Sequence, residues 1–106
     1  TEQQLVELVS DAAEKTRRGQ ARLAEIADSV RQHQDAARLE AETLGKAQAT
    51  SALDGSQQPD TKTVRQRIEA HRTAAVELEL EAAELRQQLG DIIAIVIARR
   101  GDETRR

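Results

Sequence analysis

The sequence predicts an all-α fold in which two long helices form an antiparallel coiled-coil hairpin, and we expect two hairpins to dimerise into a four-helix bundle. The 106 residues include no Phe, Tyr, Trp, Met or Cys, so the aromatic side chains that dominate most compact cores are missing. Leu, Ile, Val and Ala instead recur at alternating steps of three and four residues, the spacing of a coiled coil. One cluster of turn-forming residues divides this pattern, so we treat residues 1–106 as a single hairpin domain.

The first helix is predicted over about residues 2–44, and the stretch that follows could extend it to 52. Its apolar stripe is imperfect, because a threonine, a glycine, a histidine and a glutamate occupy positions that favour hydrophobic side chains. We expect Gly45 to cap this helix in the left-handed conformation that glycine tolerates. The stripe consists of Val9, Ala12, Thr16, Gly19, Leu23, Ile26, Val30, His33, Ala37, Glu40 and Leu44.

A loop is predicted over about residues 53–60. Asp54-Gly55-Ser56 and Pro59 lie in this stretch, and such residues interrupt helices strongly. Either Asp60 or Thr61 is a suitable N-cap for the helix that follows.

The second helix is predicted over about residues 61–99, with a frayed tail at 100–106. Its stripe continues for five heptads without a slip, which is a strong helical signal. Gly90-Asp91 is the one place where it could kink or restart. The stripe consists of Val64, Ile68, His71, Ala75, Leu78, Ala82, Leu85, Leu89, Ile92 and Val96.

The register of the hairpin follows from the centre of the loop. A turn centred near Gln57 makes the numbers of facing residues add up to about 114. Arg31 and Arg38 would then lie near the glutamates between Glu77 and Glu84, so that opposite charges meet across the hairpin.

The two histidines lie on the stripes, and in this register they are about ten residues apart. No metal site is expected from them, because metal sites need three or four converging ligands. We expect each histidine to act as a polar residue that fixes the register. Glu40 would lie within about a turn of His71, and we hypothesise that the two pair and form a pH-sensitive contact.

The run from Ile92 to Ala98 is apolar all round a helix, which implies burial on every side. In the predicted register it faces the polar stretch from Thr16 to Arg22, which cannot cover it. A second copy of the chain is the expected cover; a different helical protein, or a fold-back of the N-terminus, are the alternatives. A buried β-strand is a further alternative for this run. The predicted oligomer interface comprises Leu5, Val6, Leu8, Val9, Leu89, Ile92, Ile93, Ile95, Val96 and Ile97.

Five arginines suggest a competing function. Arg17, Arg18, Arg22, Arg99 and Arg100 would cluster at the open end of the hairpin and could bind an anionic partner such as a phosphate. The alternative interpretation is a purely structural role, in which these arginines flank an apolar end of the hairpin and pair with nearby carboxylates. Nucleic acid is included in the anion-binding interpretation as a partner, but it is the less favoured one, because the chain has no aromatic side chains on which the bases of a single strand could stack.

Composition excludes several classes of function. The chain has no cysteine, no glycine-rich phosphate loop and no recognisable arrangement of serine, histidine and acid, so we expect neither an enzyme nor a cofactor. No stretch is apolar for the roughly 20 residues that span a bilayer, and no signal-peptide pattern is present. We expect a cytoplasmic protein, with secretion without a cleavable signal as an open alternative. The excess of arginine over lysine is typical of high-GC bacterial genomes.

In size and layout the chain resembles the WXG100 family of small helical hairpins, which actinobacterial secretion systems export and which dimerise as four-helix bundles. The turn here is Asp54-Gly55-Ser56 where that family has Trp-x-Gly, and the tyrosine-bearing export signal after the second helix is missing. The resemblance therefore concerns architecture, and it implies an exported hairpin as the alternative function.

Overall fold

The computed structural model describes residues 1–54 and 61–105, without the side chains of 51–54, 103 and 105. Helix α1 comprises Glu2–Asp54 and helix α2 comprises Thr61–Arg105. The two pack antiparallel, and the described ranges contain no strand, so the predicted all-α hairpin is confirmed. The predicted turn at Gly55 to Pro59 and the predicted cap at Asp60 lie outside the described residues.

Helix α1 starts with a reciprocal cap. The backbone N–H of Gln4 donates to Thr1 Oγ1 at 3.2 Å, and the terminal amino group of Thr1 donates to Gln4 Oε1 at 3.2 Å. This arrangement satisfies donors that the first turn of a helix leaves without a partner. The predicted stop at Gly45 is wrong, and the alternative in which the helix extends to about residue 52 agrees with α1, which continues to Asp54. A glycine inside a helix costs only about 1 kcal/mol, and Ala47 and Gln48 extend the half-buried stripe beyond it.

Helix α2 runs through Gly90 and through the whole apolar run without a break. The β-strand alternative for residues 92–98 is therefore wrong. The helix also continues past the predicted end at 99 as far as Arg105, so the expected frayed tail is helical up to that residue. Thr104 Oγ1 donates to the carbonyl of Arg100 at 2.9 Å within this last turn.

Each helix contributes to two compact units, which we describe separately. Unit 1 combines Thr1–Ile26 with Leu80–Arg106. Its buried residues are Gly19, Ile26 and Ala82, and half-buried leucines on both helices surround them. Because Ala82 of α2 is small and Gly19 of α1 has no side chain, the two helices of this unit approach closely.

Unit 2 consists of Ala27–Glu79. Outside residues 51–60, whose side chains are not described, the buried residues of this unit are Ala37, Ile68 and Ala75. Across both units, every predicted stripe position except Val9 is buried or half-buried, so the three-and-four spacing identified the packed faces correctly.

The predicted register is wrong in both units. In unit 1, Gly19 lies against Leu89 and not against the residue near 95 that a loop-centred register requires. In unit 2, the two histidines are in direct contact although they were expected about ten residues apart. The packing of side chains between the two stripes sets the register. The centre of the connecting loop need not coincide with the centre of that packing, so it does not predict which residues face each other.

The corrected register also changes the charge pairs. Arg31 pairs with Asp28 and Arg38 with Asp35, each within α1, and not with the glutamates of α2. The ion pairs that do cross between the helices join Arg22 to Glu81 in unit 1 and Arg67 to Glu40 in unit 2. Neither described helix is long and apolar enough to cross a membrane.

Candidate interaction surface

The ten residues of the predicted interface all belong to unit 1, and the structure divides them into two groups. One group is half-buried between the helices, and the other is exposed on their outer faces. The half-buried group is Leu5, Leu8, Leu89, Ile92 and Val96, and the exposed group is Val6, Val9, Ile93, Ile95 and Ile97.

The half-buried group corrects two expectations. Leu8 and Ala12 border a small cleft together with Ile92, Ile95 and Val96, so this part of the apolar run faces the apolar start of α1. For the same reason, the start of α1 does not lack an intramolecular partner. Of the polar stretch from Thr16 to Arg22, residues 18, 19 and 22 share a cleft with Ile92, at the start of the run. The fold-back alternative is also wrong, since α1 is one continuous helix from its first turn.

The exposed group is what α1 does not cover. Ile93, Ile95 and Ile97 are 50%, 58% and 65% exposed. Ile93 and Ile97 are four residues apart and share one face of α2, whereas Ile95 lies on the opposite flank of the packed stripe. On α1, Val6 and Val9 are three residues apart and form a matching exposed face. We call these five residues the apolar end.

A groove of about 470 Å³ adjoins the apolar end on the Ile95 side. Leu8, Ile95 and Ala98 form its apolar wall, and Gln4, Arg99 and Asp102 form its polar rim. Apolar centres with polar rims are typical of protein interaction surfaces.

The structure does not bring the five predicted anion-binding arginines together. Arg99 lies beside Gln4 and Leu8, and nine residues of α1, or about 13 Å along its axis, separate Leu8 from Arg17. Arg17 and Arg18 both pair with Glu14. For Arg100 the structure adds only its position in the last turns of α2. Anion binding at these residues stays a prediction.

Arg22 is the best-anchored of these arginines. Its Nε donates to Glu81 Oε2 at 2.6 Å and its Nη2 donates to Glu81 Oε1 at 2.9 Å, which is the two-pronged geometry that guanidinium and carboxylate groups favour. Nη1 also donates to Glu25 at 3.2 Å. The hydrogen bonds from Arg22 hold the pKa of Glu81 below its ordinary value, and those to Glu81 and Glu25 raise the pKa of Arg22. This residue therefore anchors the two helices to each other.

The two histidines meet in unit 2. The Nδ1 atoms of His33 and His71 are 3.0 Å apart, and the ring centroids are 5.2 Å apart with the planes tilted by 42°. The hypothesis that Glu40 pairs with His71 is wrong, because Glu40 Oε1 forms an ion pair with Arg67 Nε at 3.0 Å, and His71 contacts His33 instead. The loop-centred register placed the two histidines apart and so did not predict this pair. A register that aligns the polar stripe positions of one helix with those of the other would have predicted it.

Comparison with known proteins finds no family model that matches the chain, no curated protein with significant similarity and no solved structure with a significant match. The resemblance to the WXG100 family accordingly rests on layout alone.

Proposed function

We propose that this protein is a non-enzymatic helical interaction module that self-associates through the apolar end of unit 1. The observation that carries the proposal is the exposure of three isoleucines on two opposite flanks of α2, beside an exposed valine face on α1. Single exposed hydrophobic residues are normal on protein surfaces, but a group of five at one end of a helix pair is typical of an interface.

Burial of the exposed apolar side chains favours association. Full burial of a Val or Ile side chain is worth about 1.5–3 kcal/mol, so covering the exposed half of each side chain contributes about 1 kcal/mol or more. In a two-fold symmetric dimer both copies bury the same flank of the apolar end, which doubles the gain for the residues on that flank. A second copy is the simplest partner, because both helices offer it the same kind of aliphatic surface. We propose a scaffolding or adapter role on this basis.

Light scattering and sedimentation equilibrium over a range of protein concentrations test the proposal. We expect the wild-type chain to be a dimer or a higher oligomer, and we expect Ile95→Glu to dissociate it into monomers. The substitution should leave the hairpin helical, because Ile95 is 58% exposed and the glutamate can reach water.

Val76→Glu is the matched control. Val76 is 55% exposed, close to Ile95, but it belongs to unit 2, and the exposed apolar residue that shares its helix face is Leu80, outside the apolar end. This variant should stay associated. A wild-type chain that stays monomeric at every concentration, or equal dissociation of both variants, would contradict self-association through the apolar end.

A further inference from the structure

We propose that His33 and His71 form a binding site for a divalent transition-metal ion, with Cu²⁺ preferred. The site lies within unit 2 and is independent of the apolar end. Each histidine comes from a different helix, so a bound ion would link α1 to α2. Nothing else in the described chain offers two imidazoles, since these are its only histidines.

The two Nδ1 atoms are close enough together for one ion to contact both. At 3.0 Å they are in hydrogen-bond contact, so one ring donates its Nδ1 proton and the other accepts it. An ion that lies about 2.0 Å from both nitrogens would subtend an angle of about 97° between them. This value lies between the right angle of tetragonal coordination and the tetrahedral angle. The 5.2 Å between the ring centroids is about the 3.0 Å between the nitrogens plus the two ring radii, so the two Nδ1 atoms point almost straight at each other. Each ring must therefore turn by about 40° before both lone pairs point at the ion.

Small buried residues lie next to the histidine pair, which is itself partly exposed. Ala37 and Ala75 are the next stripe positions on each helix, and both are buried. Their small side chains let the backbones approach, which brings the two rings within reach of each other. Both histidines are only half-buried, so one side of the pair is open to solvent. Ions can enter there, and water can fill the remaining coordination positions.

The donor set selects the metal. The described residues contain no group of three or more His, Cys, Asp or Glu side chains that could surround an ion, so two imidazoles and water are the ligands available. Imidazole suits Cu²⁺, Ni²⁺ and Zn²⁺, and affinity along this series is highest for Cu²⁺. A tetragonal site of nitrogen and oxygen ligands is typical of Cu²⁺.

Binding requires a change of tautomer but no net loss of a proton from the neutral pair. The ring that donates its Nδ1 proton takes a proton on Nε2 from water as its Nδ1 proton leaves. Both Nδ1 lone pairs then bind the ion. Because the two rings converge only in the folded hairpin, the bound ion stabilises the folded state.

Titration with Cu²⁺, followed by calorimetry and electron paramagnetic resonance, tests the proposal on the full chain. We expect one ion per chain with two imidazole nitrogens in its spectrum, and a higher Tm when copper is added. His33→Asn and His71→Asn should each weaken binding by about 100-fold, since the second imidazole binds at high effective concentration. Gln34→Asn is a control beside His33 and should bind like wild type.

Two outcomes would overturn the proposal. One is a pair of copper ions per chain with a single nitrogen each; the other is unchanged affinity in either histidine variant. If a histidine variant fails to fold, the nitrogen count of the wild-type spectrum still decides. The Ile95→Glu variant should bind copper with wild-type affinity, and loss of binding there would show that the ion needs two chains.

Discussion

Gly19 of α1 lies directly against the side chain of Leu89 on α2. A Cβ added at Gly19 would be 2.7 Å from Leu89 Cδ2, closer than such atoms approach one another. The glycine therefore occupies a stripe position because the opposite leucine fills the space, and not because the backbone needs an unusual conformation. This contact holds the two helices of unit 1 close together and helps to set their register.

Replacing Gly19 by alanine has two opposite effects on stability, one from helix propensity and one from packing. Glycine to alanine inside a helix gains about 1 kcal/mol, but overfilling a packed contact costs about 1–3 kcal/mol. We expect Gly19→Ala to gain no stability, because Leu89 must move to admit the methyl group. Gly45→Ala has nothing within 4 Å of the new Cβ and should gain about 1 kcal/mol. Urea denaturation at one fixed protein concentration measures both; equal gains would show that the leucine yields freely.

The Arg22–Glu81 pair predicts a pH dependence of stability. Because the folded-state pKa of Glu81 is lowered from about 4.5, the unfolded chain takes up this proton first as the pH falls. The contribution of the pair is therefore fully present at neutral pH and is lost below about pH 4.5, through the lowered pKa. Glu81→Gln should be less stable than wild type at pH 7 and nearly equal to it at the acid end of the transition.

Thermal unfolding followed by circular dichroism between pH 7 and pH 3 measures this difference. Glu84→Gln, at an exposed glutamate of the same helix, controls for the loss of one negative charge. A constant gap between wild type and Glu81→Gln across the whole range would mean that the pair contributes through packing and not through charge.

Glu40 predicts a stabilising substitution. Its Oε1 pairs with Arg67, but its Oε2 is buried and accepts no hydrogen bond from the described residues. A buried polar atom without a partner costs about 1–3 kcal/mol. Leu39, Leu44 and Val64 border the groove beside it, so Glu40→Leu places an apolar side chain among apolar neighbours. We expect a gain of about 1 kcal/mol or more.

The gain can be measured by chemical denaturation. Arg67 should not be stranded by this change, because its side chain is 55% exposed and can reach water. Glu42→Leu, at an exposed position two residues along the same helix, should change stability by less than about 0.5 kcal/mol. If Glu40→Leu instead lowers stability, the Arg67 pair outweighs the unpaired oxygen.

Much of the fold could be predicted from local patterns. The apolar spacing identified both packed faces, since residues three and four apart share one side of a helix whatever the helix packs against. Ile26, Ile68 and Ala82, which the spacing placed on the stripes, are buried. Helix ends were predicted less well, because α1 passes Gly45 and α2 passes residue 99 when tertiary packing outweighs a weak local stop signal.

The apolar end was predicted for a reason that is partly wrong. The composition of the run from Ile92 to Ala98 already indicated more apolar surface than one neighbouring helix can cover. The sequence could not show which residues cover it, and the assumed partner stretch from Thr16 to Arg22 lies beside only Ile92, at the start of the run. Leu8 and Ala12 cover one side of the run, and only five of the ten predicted interface residues are exposed.

By itself the sequence determined that the chain forms two long helices and which side of each helix packs, because both properties depend on residues a few positions apart. Only the tertiary structure decided how far one helix slides along the other. A shift by one heptad repeat keeps every apolar position on the packed face, so periodicity does not distinguish between registers. The contacts of Gly19 with Leu89 and of His33 with His71 do distinguish them, because each depends on two residues far apart in sequence. The apolar end and the histidine pair are both consequences of that register.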